Sequence, residues 1–205
     1  LVVGGTYDAE DCYGAWRTYD AICRLSPEAD CRLVMGAWSH GAWQSHKRAD
    51  AVGDIVYGSG IGDMYRERIE VPFFNFYLKD KGCLDSLPRT MLFFSGENRW
   101  RSFDRWREPG RRMTLYLDAD GSLSRHRPAR SGGCTSYISD PADPVPYMPA
   151  VGRSIPKGYM NADQRFASER GDVLTFCGER LDRPISVAGE IGVRLYASLS
   201  TTDAD

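Results

Sequence analysis

Hydrophobic and polar positions change rhythm along the chain, and each change marks a different kind of element. Leu1 to Gly5 (LVVGG) is a continuous apolar run closed by two glycines, the pattern of a buried strand. From Asp11 onward the apolar positions take helical spacing. Tyr13, Trp16, Tyr19, Ile22 and Cys23 recur three and four apart, which predicts a helix with one apolar face. Ser26-Pro27-Glu28-Ala29-Asp30 is a breaker loop. Cys31 to Met35 (CRLVM) reads as a second short strand and runs into Gly36-Ala37-Trp38-Ser39-His40-Gly41. A second helix is predicted from Ile61 to Lys81, carrying Tyr65, Ile69, Phe73, Phe74, Phe76, Tyr77 and Leu78. Pro72 inside it predicts a kink or a break, because proline removes a helical N–H and clashes with the preceding turn.

After Gly82 the rhythm shortens. Alternating runs predict strands at Thr90–Phe94, Met113–Leu117, Val173–Cys177, Ile185–Val187 and Ile191–Leu199, separated by turns such as Asp118-Ala119-Asp120-Gly121. Ser139 to Pro156 has no periodicity. The expected fold class is therefore α/β plus all-β. Residues 1–84 should form an open, parallel α/β sheet, and residues 85–205 a β-sandwich or jelly roll. Trp100, Phe103 and Trp106 are expected either between the two halves or in the core of the second.

Composition narrows the function classes. The chain has 205 residues, 42% hydrophobic and 26% charged, the balance of an ordinary globular protein. A net charge of −2 with scattered Lys and Arg argues against a nucleic-acid partner, which needs a clustered basic face. No apolar run reaches the length of a membrane span, so no membrane partner is expected. The cysteines at 12, 23, 31, 83, 134 and 177 form no CxxC pair and no zinc spacing with His. They are expected to be free and mostly buried, with a Cys23–Cys31 disulfide left open. Because both ends fall in strand-like runs, the chain is read as an excerpt of a longer polypeptide.

In open α/β sheets, functional groups gather outside the carboxyl ends of the strands. The loop after Leu1–Gly5 supplies Asp8, and the loop after Cys31–Met35 supplies His40. If those strands are neighbours, the two side chains reach one site. Asp before His is the order of α/β-hydrolases, in which a nucleophilic Ser precedes both. No G-x-S-x-G occurs here, and Ser59 in Gly58-Ser59-Gly60 follows the His, so the nucleophile is expected ahead of Leu1. Plainer readings stand beside this one. Asp8 could be a helix-initiating carboxylate, which stabilises a helix by about 1 kcal/mol. His40 could be a turn residue bonded to nearby backbone. His46 and His126 are expected to be structural or exposed.

Gly5-Thr6-Tyr7-Asp8, followed by Gly36-Ala37-Trp38-Ser39-His40, resembles the Asp and His segments of the cocaine esterase and X-prolyl dipeptidyl-peptidase group, the CocE/NonD-type serine hydrolases. Asp8-Ala9-Glu10-Asp11 with Tyr13-Gly14 is most similar to α-amino acid ester hydrolases and glutaryl-7-ACA acylase-like sequences. Similarity continues through Val71-Pro72-Phe73-Phe74, Asn98-Arg99-Trp100-Arg101, Ser139-Asp140-Pro141 and Asp172-Val173-Leu174-Thr175, and so spans nearly the whole chain. Two positions depart from the family pattern: Ala37 stands where Pro is usual, and Thr6 where Trp is frequent.

The resemblance implies a serine hydrolase of esters or amides that works through an acyl-enzyme. Asp8 and His40 would be catalytic, and Glu10 and Asp11 would bind the α-ammonium group of a small-molecule substrate. It implies no cofactor and no metal, allows for a homo-oligomer, and favours a periplasmic or secreted location over a cytoplasmic one. The rival functions are an X-Pro dipeptidyl-peptidase, a general esterase with no ammonium requirement, and a non-catalytic β-sandwich binding module.

Overall fold

A computed structural model describes residues 1–45, 48–106, 110–129, 133–150, 152–156 and 158–202. Strand β1 (Val2–Gly5) is followed by helix α1 (Cys12–Leu25) and strand β2 (Leu33–Gly36). Short 3-10 turns at Ala42–Gln44 and Arg48–Asp50 lead into a small hairpin, β3 (Ala51–Val52) and β4 (Ile55–Val56). Helix α2 (Ile61–Tyr65), a π-helical turn (Arg66–Glu70) and helix α3 (Val71–Lys79) follow without interruption. Strands β5 (Thr90–Phe94) and β6 (Arg99–Phe103) complete the first sheet, whose order is β1-β2-β5-β6.

The first three strands run parallel and β6 runs antiparallel to β5. This corrects two readings. Thr90–Phe94, expected to open the all-β half, pairs in register with Leu33–Met35 as the third strand of the α/β sheet. That sheet therefore runs past the expected divide at residues 84 and 85, as far as Phe103. The cause lies in the faces of β5, whose Met91 packs into the cluster on one face of the sheet and whose Leu92 packs into the cluster on the other. A strand covered on both sides completes a parallel sheet, and alternation alone cannot say which sheet it joins.

The two faces of the sheet bury different partners. Leu33, Met35 and Leu92 pack with Tyr19 and Cys31, under Ala15, Trp16 and Ile22 of α1. Val34, on the opposite side of the same strand, packs with Trp38, Tyr65, Ile69, Leu84 and Leu87. Tyr13, predicted on the apolar face of α1, is instead 74% exposed, one position outside the stripe that meets the sheet. The Trp106 ring packs tilted against Trp16, with centroids 4.7 Å apart, and the Trp100 ring lies 5.5 Å from that of Trp38. The aromatic residues considered as an interface thus belong to the α/β unit itself.

The expected kink at Pro72 takes the form of the π-helical turn that immediately precedes α3, with Pro72 in its first turn. A proline has no N–H to give the preceding turn, and a wider turn accommodates the missing bond. α3 ends at Asp80, whose φ of +50° and backbone bond to Phe76 stop the helix.

Beyond Phe103, strand structure is sparse. β7 (Tyr116–Leu117), β8 (Ser122–Ser124) and β9 (Cys177–Gly178) form a three-stranded sheet. β7 and β9 are the observed remnants of the runs predicted at Met113–Leu117 and Val173–Cys177. Ile185–Val187 and Ile191–Leu199 form no strand, and Ile191, Val193, Leu195 and Tyr196 are exposed. An alternating pattern supplies one apolar face, but a strand also needs a neighbour for its N–H and C=O groups. These segments have no such neighbour among the described residues. A 3-10 turn (Tyr159–Asn161) and helix α4 (Arg165–Ser168) complete the elements.

All six cysteines are free. Cys31 is buried, Cys12 and Cys23 are half-buried, and Cys83, Cys134 and Cys177 are exposed. The expectation of mostly buried thiols is thus corrected for Cys83, Cys134 and Cys177. Among the described residues, no helix is long and apolar enough to cross a membrane.

Candidate active site

β1 and β2 lie side by side and in register, so their carboxyl ends deliver two loops to one place. The Thr6 N–H and the Thr6 hydroxyl both donate to the Gly36 carbonyl, at 2.9 and 3.1 Å, and the Tyr7 N–H donates to the Trp38 carbonyl at 3.1 Å. Gly5 permits this approach, because a Cβ there would lie 2.1 Å from the Trp38 carbonyl oxygen. Trp38 is fully buried, and its Nε1 donates to the Ala49 carbonyl at 3.2 Å. The strand ends are therefore anchored from both sides, and Ala37, in the position where the family pattern has Pro, is buried beside them.

The Asp8 side chain is 2% exposed as a residue, and each of its oxygens has a task. Oδ1 accepts the N–H groups of Glu10 and Asp11 at 2.9 and 3.1 Å. Oδ2 lies 3.1 Å from Nδ1 of His40. The two readings of Asp8 thus hold together: Oδ1 organises the turn that starts α1, and both oxygens face the imidazole, Oδ2 the nearer and Oδ1 at 3.3 Å. His40 follows Ser39 in a turn closed by the Ala42 N–H donating to the Ser39 carbonyl at 3.0 Å. Gly41, next in that turn, has φ +63°, which a side-chain-bearing residue adopts at a cost. The His40 ring is 53% exposed, so one side is held and the other is open.

Asp11 adds a contact that the sequence did not reveal. Its Oδ2 lies 3.6 Å from the same Nδ1 of His40. Asp8, Asp11 and His40 place three donor atoms within 4.8 Å of one another. That grouping arises from two carboxylates facing one imidazole nitrogen, and both Asp8 oxygens are already engaged by hydrogen-bond donors, so the set fits hydrogen bonding better than metal ligation. Glu10 is exposed on the same turn. Cys12 is nearby, but burial, and then the negative charge of Asp8, push its thiol up from the ordinary value, which disfavours a nucleophilic thiolate.

Farther along the carboxyl edge of the sheet, the Tyr7 hydroxyl donates to Ser95 Oγ at 3.4 Å. Tyr57 is buried against Phe93, with its acidity pushed down by burial and by the Tyr7 hydroxyl, so it stays protonated. Ser59 is exposed, His126 is exposed, and His46 lies outside the described residues.

With the geometry in place, comparison with known proteins gives it a context. No family model matches the chain. Cocaine esterase from Rhodococcus sp. (strain MB1 Bresler) is 30% identical over 218 residues, which take in 100% of this chain and 36% of the esterase. An aminopeptidase from the marine sediment archaeon Thaumarchaeota archaeon superposes with a TM-score of 0.80 at 34% identity, over 88% of this chain and 30% of the aminopeptidase. An α-amino acid ester hydrolase gives a TM-score of 0.75 at 32% identity, over 86% of this chain and 30% of the hydrolase. Over nearly its whole length the chain is similar to CocE/NonD-type hydrolases. It spans about a third of the length of the relatives it matches.

Proposed function

We propose that these residues form the acid–base half of a serine hydrolase acting on esters or amides of α-amino acids. The observation that carries this reading is the 3.1 Å contact between His40 Nδ1 and the buried Oδ2 of Asp8. With Nδ1–H donating a hydrogen bond to Asp8, the opposite nitrogen, Nε2, is left as the basic one. In the reaction, a serine supplied from outside residues 1–205 attacks the substrate carbonyl. His40 Nε2 takes the serine proton and returns it to the leaving group, while Asp8 fixes the tautomer and stabilises the imidazolium. An acyl-enzyme forms, and water or an acceptor amine resolves it.

The choice of substrate rests on Glu10 and Asp11. Both carboxylates leave the turn that Asp8 organises, and both are exposed beside the imidazole loop. Carboxylates of this kind attract a cation such as an α-ammonium group. The structural neighbours, an aminopeptidase and an α-amino acid ester hydrolase, fit this choice. A second reading, an esterase with no ammonium requirement, draws on the likeness to cocaine esterase. The β-sandwich or jelly roll expected over residues 85–205, without the β5 and β6 strands that join the α/β sheet, and assembly into a homo-oligomer belong to the same proposal.

The test uses the complete enzyme and a panel of phenylglycine-type esters, X-Pro amides and simple acyl esters. The proposal expects the highest kcat/KM on esters with a free α-amino group. Equal turnover of simple acyl esters would select the general esterase, and preference for X-Pro amides the dipeptidyl-peptidase. Asp8→Asn should lower kcat by roughly 10³–10⁴, by analogy with triad aspartates. An unchanged kcat would remove Asp8 from the mechanism.

A further inference from the structure

Asp11 occupies the residue before the first turn of α1, where an aspartate ordinarily turns its carboxylate onto the free N–H groups of the helix. Here it makes no such bond. The N–H of Asp11 itself is taken by Asp8 at 3.1 Å, and the Asp11 carboxylate points instead to His40, with Oδ2 at 3.6 Å from Nδ1. A carboxylate that gives up a helix cap in its own reach has been placed by the turn for another purpose.

We propose that Asp11 is a positioning residue for His40, a second carboxylate on the nitrogen that Asp8 holds. This inference rests on the triad reading above and adds to it. The three groups close a ring. Asp8 holds the Asp11 backbone, Asp11 faces the His40 ring, and His40 returns to Asp8. Asp8 Oδ1 already accepts two backbone N–H groups and lies 3.3 Å from Nδ1, so Oδ2, at 3.1 Å, is the nearer of its oxygens to the imidazole. A second negative group at Nδ1 keeps the proton on that side and resists rotation of a ring that is half open to solvent. The role differs from ammonium recognition because it acts on every substrate, with or without an amino group.

The experiment compares Asp11→Asn with Glu10→Gln in the complete enzyme, on two esters that differ only in a free or an N-acylated α-amino group. Asp11→Asn should lower kcat about three- to fivefold on both esters, the upper range for a solvent-exposed ion pair, with KM for the N-acylated ester unchanged. Glu10→Gln should affect the free-amine ester alone. Asp11→Glu should recover part of the lost kcat. The low-field proton resonance of His40 Nδ1 should shift or broaden in Asp11→Asn, well below the melting temperature. Asp11→Ser serves as a second variant, since serine caps a helix well and keeps the fold while removing the charge. Unchanged kcat on the N-acylated ester in both Asp11→Asn and Asp11→Ser, with the proton resonance unmoved, would overturn the inference. Failure of the triad reading looks different: His40→Ala would then turn over as fast as the wild type.

Discussion

A single carboxylate can carry a structural and a chemical task at once, and in Asp8 the turn rests on Oδ1 while Oδ2 is the oxygen nearer to His40. Asp8→Asn keeps a side-chain oxygen for the Glu10 and Asp11 N–H groups, so stability should change little while kcat falls. Asp8→Ala loses the turn as well and should cost an additional 0.5–2 kcal/mol or so in urea unfolding. Equal unfolding midpoints for the two variants would show that Oδ1 does not hold the turn. The Asp–His pair was legible because order and spacing place both residues after strands. The orientation of Asp11 was not, since a cap and an ion pair share one sequence signature. Asp30 illustrates the same limit. In the sequence it belongs to a breaker loop, yet it receives the Arg32 guanidinium at 3.0 Å, the Tyr77 hydroxyl at 2.9 Å and Arg89 at 3.3 Å. Burial acts to raise its pKa, but the bonds from Arg32 and Tyr77 outweigh it and hold the carboxyl below its ordinary value. Tyr77 is shifted upward by its bond to Asp30. A depressed carboxylate stabilises fully above its unfolded pKa of about 3.9 and loses that contribution as pH falls through the folded value. A raised tyrosine stabilises fully below its unfolded pKa of about 10 and loses the contribution above it. Melting temperature should therefore be flat with respect to this pair between about pH 5 and pH 9 and fall on either side. Asp30→Asn should lower the plateau and flatten both flanks; a profile of unchanged shape would rule the cluster out as a source of pH dependence.

At the scale of elements, what positions the site is the spacing of two strand ends. Strand β1, strand β2 and the first helix were readable because buried runs and helical periodicity are strong local signals. The place of β5 was not, because a short apolar run such as TMLFF fits a sandwich strand as well as a buried parallel one, while its pairing with β2 depends on residues 57 positions away in the chain, as in the Leu33–Thr90 pair. Nor does local pattern show that Gly5 must be glycine. Gly5→Ala would push a methyl group into the Trp38 carbonyl and drive the β1 and β2 ends apart. The variant should lose about 1–3 kcal/mol of stability, as over-packed sites do. It should also lose more activity than stability, because the Tyr7–Trp38 bond that aligns Asp8 with His40 is the first to stretch. Unfolding and kcat measured on the same preparation decide this. Full activity with lowered stability would show that the strand ends can part without disturbing the pair.

The molecule as a whole joins its sheet to its later segments through a few specific contacts, which leave little trace in a sequence. Glu97, in the turn between β5 and β6, accepts the Ser186 hydroxyl at 2.8 Å. Asn161 donates from Nδ2 to the Val52 carbonyl at 2.7 Å, across 109 residues. Around that bond the backbone packs closely, since a Cβ on Gly158 would meet Gly53 Cα at 3.0 Å. Val52 is buried, so its carbonyl has no easy recourse to water. Removing the amide should cost about 1–3 kcal/mol, the penalty for a buried acceptor left unpaired. Val52 lies in the hairpin that leads to Tyr57, and Tyr57 packs on Phe93 at the carboxyl end of β5. Loosening the seam therefore reaches the edge of the sheet where Asp8 and His40 sit, but only through packing. Asn161→Ala should lower the urea midpoint while changing kcat less than twofold or so, well under the loss expected at Asp8. Asn161→Asp, which keeps the shape but removes the donor and adds a charge beside the Val52 carbonyl, should be at least as destabilising. If Asn161→Ala unfolds with the wild type, the later segments are held by other contacts. If it instead abolishes turnover at full stability, residues 158–161 belong to the site itself.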